Sequence, residues 1–287
     1  MPDINIIPSV NFHITKACNM KCKYCFAKFK QLHSDLNLIL QKDIIKRLYE
    51  AGFTKINFVG GEPLLVPDLK HLIKYAKKLD FYVSVVTNGT YLNYDFLSET
   101  GQYLDLIGLS VDSLIESVNN KIGRTFNGIT PNKNYYMNLC EKINQYNIDL
   151  KINTVVSQFN KNENFTNFIS YVNPLRWKIF QVLSVKGENN ITGMEISKNE
   201  FDRFIENHKD VKTYIVAEDN ELLQGSYIMI NPMGRFFDNL KGAYTISDSI
   251  IKVGVSQALN QINFDIGKYI KRDGNYYELI TLKTMAS

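Results

Sequence analysis

Cys18-Asn19-Met20-Lys21-Cys22-Lys23-Tyr24-Cys25 gathers three of the chain's four cysteines into eight positions, directly after an apolar run at 9–15 that reads as a β-strand. Three thiolates separated by three and then two residues can wrap one side of a small metal centre, and thiolates are the ligands that hold iron–sulfur clusters. A loop of three leaves the fourth iron of a four-iron cluster without a protein ligand, which is the open position a substrate needs. An aromatic beside the last cysteine, Tyr24 or Phe26, would shield such a cluster. Two other readings compete. A disulfide would strand one of the three thiols, in a chain without the cysteine density of secreted scaffolds. A zinc site asks for a fourth ligand from elsewhere, such as His13 or His33.

The CxxxCxxC spacing closely resembles the radical S-adenosylmethionine signature. The resemblance implies that Cys18, Cys22 and Cys25 hold a 4Fe–4S cluster, and that the amino and carboxyl groups of S-adenosylmethionine occupy the fourth iron.

Outward from the cysteines the chain alternates. Extended runs at 9–15, 54–59, 81–87, 104–110, 148–156 and 176–184 are separated by helical patterns at 36–51, 67–79, 93–100, 113–122 with 131–146, and 163–172. Strict alternation predicts parallel strands with helical crossovers. Six strands suggest an α/β partial barrel, (β/α)6, with its chemistry at the C-terminal strand ends. Beyond about 185 the pattern changes to a helix at 198–208, short extended runs at 212–217 and 226–231, and a weaker helix near 255–261, which reads as a C-terminal α+β cap. The expected division is a short N-terminal extension at 1–8, a barrel at 9–184 and a C-terminal extension at 185–287 closing the site.

Composition narrows the function classes. The 287 residues carry a net charge of +4 without any run of five basic residues, which argues against a nucleic-acid polymer as partner. Nowhere do about 18 apolar residues follow one another, and residues 1–9 do not read as a signal peptide. The expectation is a cytoplasmic, monomeric protein without membrane attachment. Cys140 falls in an amphipathic helical pattern and reads as a packing thiol.

A parallel strand covered on both faces should be almost wholly apolar. Four of these strands break that rule alike: Val10-Asn11-Phe12-His13, Lys55-Ile56-Asn57-Phe58, Lys151-Ile152-Asn153-Thr154 and Arg176-Trp177-Lys178-Ile179. Side chains alternate across a strand, so each polar set projects to one face. For a single strand, a solvated face explains this. Four strands together point to a lumen carrying Lys55, Lys151, Arg176 and Lys178 with Asn11, Asn57 and Asn153 among them. Enclosed cations need an anion, since an unpaired buried charge costs several kcal/mol. A triphosphate fits, with arginine bidentate and lysines as point charges.

Motifs at the strand ends join the same site. Gly60-Gly61-Glu62-Pro63 ends the second strand, where glycines permit close backbone approach. Alone it is a turn; after a strand and downstream of CxxxCxxC it resembles the motif with which radical S-adenosylmethionine enzymes bind the methionyl amine. Thr87-Asn88-Gly89 and Ser110-Val111-Asp112-Ser113 end the third and fourth strands and serve equally as helix caps. Arg124 reads either as a partner of the methionyl carboxylate or as a solvated helix-end arginine. With Phe26, the S-adenosylmethionine candidates are Gly60, Gly61, Glu62, Asn88, Ser110 and Arg124.

A closer resemblance then appears. Ser9-Val10-Asn11-Phe12-His13, Lys55-Ile56-Asn57-Phe58, Lys151-Ile152-Asn153, Asn173-Pro174-Leu175-Arg176-Trp177-Lys178-Ile179-Phe180-Gln181, Gly187-Glu188-Asn189, Ser226-Tyr227 and Arg235-Phe236 are together similar to the viperin-like enzymes, over roughly 9–270. The resemblance implies a radical enzyme that takes the 4′ hydrogen of a ribonucleoside triphosphate and loses the 3′ hydroxyl as water. The product is a 3′-deoxy-3′,4′-didehydro nucleotide that terminates polymerase chains, hence an antiviral role, against phage in a prokaryotic host. It further implies an electron donor of flavodoxin or ferredoxin type. Carried onto matching positions, Asn11, Lys55, Asn57, Lys151, Asn153, Arg176 and Lys178 hold the nucleotide, and Tyr227 lies beside the ribose as hydrogen or proton donor, with Lys151 the other catalytic candidate.

Two departures stand out. About eight residues precede the first strand where animal members have an amphipathic membrane helix. The chain ends Leu282-Lys283-Thr284-Met285-Ala286-Ser287 where theirs ends in an acidic residue and a tryptophan. The segment Asn231-Pro232-Met233-Gly234 also differs from the animal sequence. Cytidine triphosphate is the first choice of substrate, with uridine or guanosine triphosphate open. Two alternatives remain. A peptide-modifying radical enzyme would want auxiliary-cluster cysteines, and none lies beyond Cys140. A non-catalytic iron–sulfur protein leaves the lumenal cations without purpose.

Overall fold

The computed structural model describes residues 9–274; the expected extension at 1–8 and the chain end at 282–287 lie outside the described residues. Its strands are β1 (Ser9–His13), β2 (Lys55–Val59), β3 (Tyr82–Thr87), β4 (Leu106–Ser110), β5 (Asp149–Val156), β6 (Arg176–Gln181), β7 (Ile215–Glu218), β8 (Met229–Ile230), β9 (Arg235–Asp238) and β10 (Thr245–Ser249). Helices α1 (Leu38–Glu50), α2 (Leu69–Lys78), α3 (Tyr94–Thr100), α4 (Glu116–Ile122), α5 (Lys133–Asn144) and α6 (Thr166–Val172) make the crossovers, and α7 (Lys198–Glu206) precedes β7.

Side-chain caps set the helix starts. Asn37 accepts from the Leu40 amide to open α1, and Ser197 with Glu200 forms a reciprocal capping box on α7. The apolar halves of the strands, among them Phe12, Ile56, Phe58, Val85, Ile152, Trp177 and Ile179, bury against the helices in one core that also takes in Cys140.

One sheet holds all ten strands in the order β10-β9-β8-β1-β2-β3-β4-β5-β6-β7. Strands β1 to β7 are parallel neighbours in sequence order, so the expected six-strand alternation is present. The C-terminal part adds to this sheet at both ends. β7 pairs parallel with β6, and β8 pairs parallel with β1 and antiparallel with β9. An open parallel sheet leaves a row of unpaired amides and carbonyls on each edge, and these short strands cover them. The two ends of the sheet also meet: the Lys186 amide, beyond β6, donates to Gly242 O between β9 and β10 at 2.8 Å. No helix among the described residues is long and apolar enough to cross a membrane.

Candidate active site at the C-terminal ends of the strands

The cysteine loop leaves β1 and is pinned from four directions. Gly61 and Glu62 donate their amides to Thr15 O and Ala17 O, both at 2.8 Å. Asn88 Nδ2 donates to Asn19 Oδ1 at 2.9 Å, and Asn189 Nδ2 to Tyr24 O at 2.8 Å. The Lys21 and Lys23 amides donate to Gly123 O and Ile122 O at 3.1 and 3.0 Å. Two glycines are required for this fit. A Cβ on Gly61 would stand 2.3 Å from Ala17 O, and one on Gly123, whose φ is +90°, would stand 2.3 Å from Lys21 O.

Cys18 is exposed, while Cys22 and Cys25 are half-buried. Burial first, then the charge of Cys22, pushes the Cys25 thiol up to about 12. Thiols so placed gain from a cationic partner. Among the described residues no trio of His, Cys, Asp or Glu gathers tightly enough for a single ion, and His13 is boxed in by Phe26, Phe29 and Phe237. Its burial holds the imidazole neutral, near 3. Three thiols on one loop, each within reach of the next one's charge, fit a cluster larger than one ion.

The rim residues divide between exposed and enclosed. Phe26 is exposed, its ring edge-on to His13 at 6.2 Å. Glu62 is fully buried, and its carboxylate accepts from Thr87 Oγ1 at 2.6 Å, Asn88 N at 2.7 Å and Leu64 N at 3.1 Å. Arg124 is buried too, donating to Asp112 Oδ2 and to Ser110 O, both at 2.8 Å. Tyr24 OH also donates to Asp112 Oδ2. Asp112 Oδ1 in turn accepts from Val155 N at 2.8 Å, so this acid locks β5, α4 and the cysteine loop together.

Below this rim the lumenal face carries the polar set. Asn57 Nδ2 donates to Asn11 Oδ1, and Ser84 Oγ to Asn57 Oδ1, both at 2.9 Å. Register pairs Lys151 with Arg176 and Asn153 with Lys178 across β5 and β6. Within β2 and β5 the cation lies two residues before the amide, about 6–7 Å further from the cysteine end. Burial and the charges of its neighbours Lys151, Arg176 and Lys178 hold Lys55 well below the usual lysine range. For the same reasons Lys151 falls to about 7, with Lys178 and Arg176 its nearest like charges. Burial takes Lys178 to about 8, against the pull of Glu218. Asn153 Oδ1 is buried without a hydrogen-bond partner.

Four residues of this site escaped the sequence reading. Glu218, at the end of β7, is fully buried; it forms an ion pair with Lys178 and accepts from Tyr227 OH at 2.6 Å, while Lys178 Nζ donates to that same hydroxyl at 2.8 Å. Arg272 lies 3.7 Å over the Tyr227 ring, a fifth buried cation. Asp273 meets Arg176 at 3.1 Å. Gly108 is the gap over which Lys151 lies: a Cβ there would stand 2.9 Å from Lys151 Cε. The signals were faint, being one acid in a short extended run, an Arg-Asp pair past the last strong pattern, and a glycine inside a strand.

Residues 12–172 match the Radical SAM superfamily. A protein of Lacinutrix mariniflava named S-adenosylmethionine-dependent nucleotide dehydratase is 45% identical over 95% of this chain, which spans 59% of that protein's length. One of Flammeovirga pacifica with the same name is 44% identical, covering 95% of this chain and 96% of its own. A homologue of that name in Siniperca chuatsi is 37% identical over 93% of this chain and 78% of its own. Among solved structures, Streptococcus suis SuiB bound to S-adenosylmethionine superposes with a TM-score of 0.66 at 15% identity, covering 81% of this chain and 60% of that one. The enzyme anSMEcpe with bound AdoMet and a peptide gives 0.65 at 17%, covering 80% and 73%. At such identities the likeness is one of fold. Radical SAM enzymes use a 4Fe–4S cluster and S-adenosylmethionine, and Cys18, Cys22 and Cys25 are the residues that would hold the cluster here. The chain belongs to the radical SAM superfamily and, within it, to the viperin-like S-adenosylmethionine-dependent nucleotide dehydratases.

Proposed function

We propose that this protein dehydrates a ribonucleoside triphosphate to its 3′-deoxy-3′,4′-didehydro form, with cytidine triphosphate the first choice, as a chain terminator made against phage. The observation that carries this reading is the cluster of five buried cations, Lys55, Lys151, Arg176, Lys178 and Arg272, on the lumenal side beneath the cysteine loop. A polyanion of similar charge offsets the cost of holding like charges together.

The cluster and S-adenosylmethionine, when bound, supply a 5′-deoxyadenosyl radical that takes the 4′ hydrogen. The chain's own groups do the rest. Lys55, Lys151, Arg176 and Arg272 bind the phosphates, and the Asn11–Asn57–Ser84 chain and Asn153 orient the ribose. Rim residues Phe26, Gly60, Gly61, Glu62, Asn88, Ser110 and Arg124 shape the S-adenosylmethionine side, with Glu62 and Arg124 acting as anchors for the backbone around it. Loss of the 3′ hydroxyl as water consumes a proton and an electron. Tyr227 is the candidate to give the proton, because its hydroxyl touches both Lys178 and Glu218 and can be recharged from the ammonium. Residues 185–274 close the site by bringing Glu218, Tyr227, Arg272 and Asp273 against the barrel strands.

The test is anaerobic. The reconstituted enzyme with dithionite and S-adenosylmethionine is given each of the four ribonucleoside triphosphates, and 5′-deoxyadenosine and nucleotide masses are followed. One triphosphate is expected to raise turnover and lose the mass of water. If none does while slow cofactor cleavage persists, the substrate is not a nucleoside triphosphate.

A further inference from the structure

At the seam where the two ends of the sheet meet lies a cavity of about 140 Å³. Phe29, Phe237 and Tyr244 wall it, their ring centroids 4.8–6.2 Å apart, and Lys186 and Ile246 are exposed at its mouth. Two polar side chains line it from different parts of the sheet. Glu188, in the loop after β6, is 6% exposed, and Asn231, directly after β8, is 1% exposed. Glu188 Oε2 and Asn231 Nδ2 are both buried without a hydrogen-bond partner among the described residues. The turn that follows β8 fixes which end of the amide is free. Asn231 Oδ1 accepts from Met233 N at 3.0 Å and Arg235 N at 3.2 Å, which leaves Nδ2 as an unmet donor. Buried polar groups are otherwise paired, because an unmet one forfeits its hydration without return. One cavity therefore holds an acceptor and a donor that nothing in the chain satisfies.

We infer that this cavity is a ligand site, separate from the lumen, for a single planar nitrogen heterocycle that offers an N–H beside a ring acceptor, the edge cytosine presents. Size sets the ring count: a cavity of about 150 Å³ holds one benzene. Three aromatic walls favour a flat guest. The carboxylate disfavours an anion, and an amide N–H facing the same space disfavours a metal ion. Glu188 would accept from the exocyclic amine, the pairing by which carboxylates read cytosine, while Asn231 donates to the neighbouring ring nitrogen. None of the lumenal cations or asparagines lines the cavity, and Tyr227 does not either. A ring held by Glu188 and Asn231 would fasten the seam beside the cysteine loop, where Asn189 holds Tyr24 O and Tyr244 holds Phe26 O. The inference rests on the cavity and not on which substrate the lumen takes.

The experiment is ligand-observed NMR on the reconstituted protein, reading saturation transfer to the ring protons of cytosine and, separately, of benzene. Cytosine is expected to bind, and benzene, which has neither the N–H nor the acceptor, to bind about tenfold more weakly or less. Glu188→Gln and Asn231→Asp are each expected to weaken cytosine binding about tenfold, the second while keeping the acceptor on which the turn depends. The double variant exchanges donor for acceptor, so a ring turned over meets both again and most of the affinity should return. That recovery separates lost contacts from lost folding. One equivalent of cytidine triphosphate, added without reductant, is expected to leave cytosine bound. No transfer to cytosine, benzene binding as tightly, equal cytosine binding by the parent and Glu188→Gln, no recovery in the double variant, or release of cytosine by that one equivalent each overturns the assignment.

Discussion

Two buried ionic clusters lie on successive levels of the same barrel and are built on opposite principles. At the rim, Arg124 and Asp112 are almost fully enclosed, and each oxygen of the carboxylate has a donor. In the lumen, Lys178 pairs with Glu218 and Arg176 with the largely exposed Asp273, and three lysines are driven below their ordinary range. The compensated cluster holds the fold together. The other holds like charges close enough to repel one another, a repulsion that an incoming anion relieves, and this is how a binding site differs from a strut.

The difference can be broken from either side. Arg124→Met leaves Asp112 buried without its cation and is expected to cost about 3–5 kcal/mol in urea unfolding, with the cysteine loop loosened. Retained stability would remove the distinction altogether. Lys151→Met takes away a like charge, so the same unfolding assay should show it as stable as the parent or more so. Its triphosphate affinity should nonetheless fall about 100-fold, the worth of a charged hydrogen bond.

pH sharpens the contrast further. Lys151 sits near 7 when folded and at its ordinary 10.5 when unfolded. Below 7 both states hold the proton and the folded state bears the full repulsion; as pH rises above 7 the folded chain sheds it and the penalty fades. The stability advantage of Lys151→Met should therefore shrink from pH 6.5 to pH 9 in thermal unfolding. A constant or growing advantage would mean that Lys151 is not repelled. The smallest effect is expected from Gly108→Ala, whose Cβ crowds the flexible end of Lys151. A several-fold rise in KM with kcat unchanged is expected, and loss of folding would show that the gap serves packing with Val86 instead.

Much of this was legible in the residues. Alternation of Lys55-Ile56-Asn57 and Lys151-Ile152-Asn153 inside strands that should be apolar gave away both the barrel and its polar face, because period two is local and survives any error of topology. Arg124 was read as open to a cofactor, and the geometry adds that it is already engaged with Asp112, a partner 12 residues away that spacing does not reveal. Glu218 and Arg272 reach the site only because β7 and β8 close on opposite ends of the sheet, a long-range pairing without a local signature.

The most direct measurement is calorimetry of triphosphate binding at pH 8 in two buffers of different ionisation enthalpy. With Lys151 near 7 and Lys178 near 8, binding a polyphosphate should draw in about one proton per site, the phosphates being fully ionised already. The nucleoside without phosphates should draw in none, and Lys151→Met should take up less. Equal binding of nucleoside and triphosphate, or triphosphate binding without proton uptake, would contradict a lumen whose lysines take up protons to meet an anion.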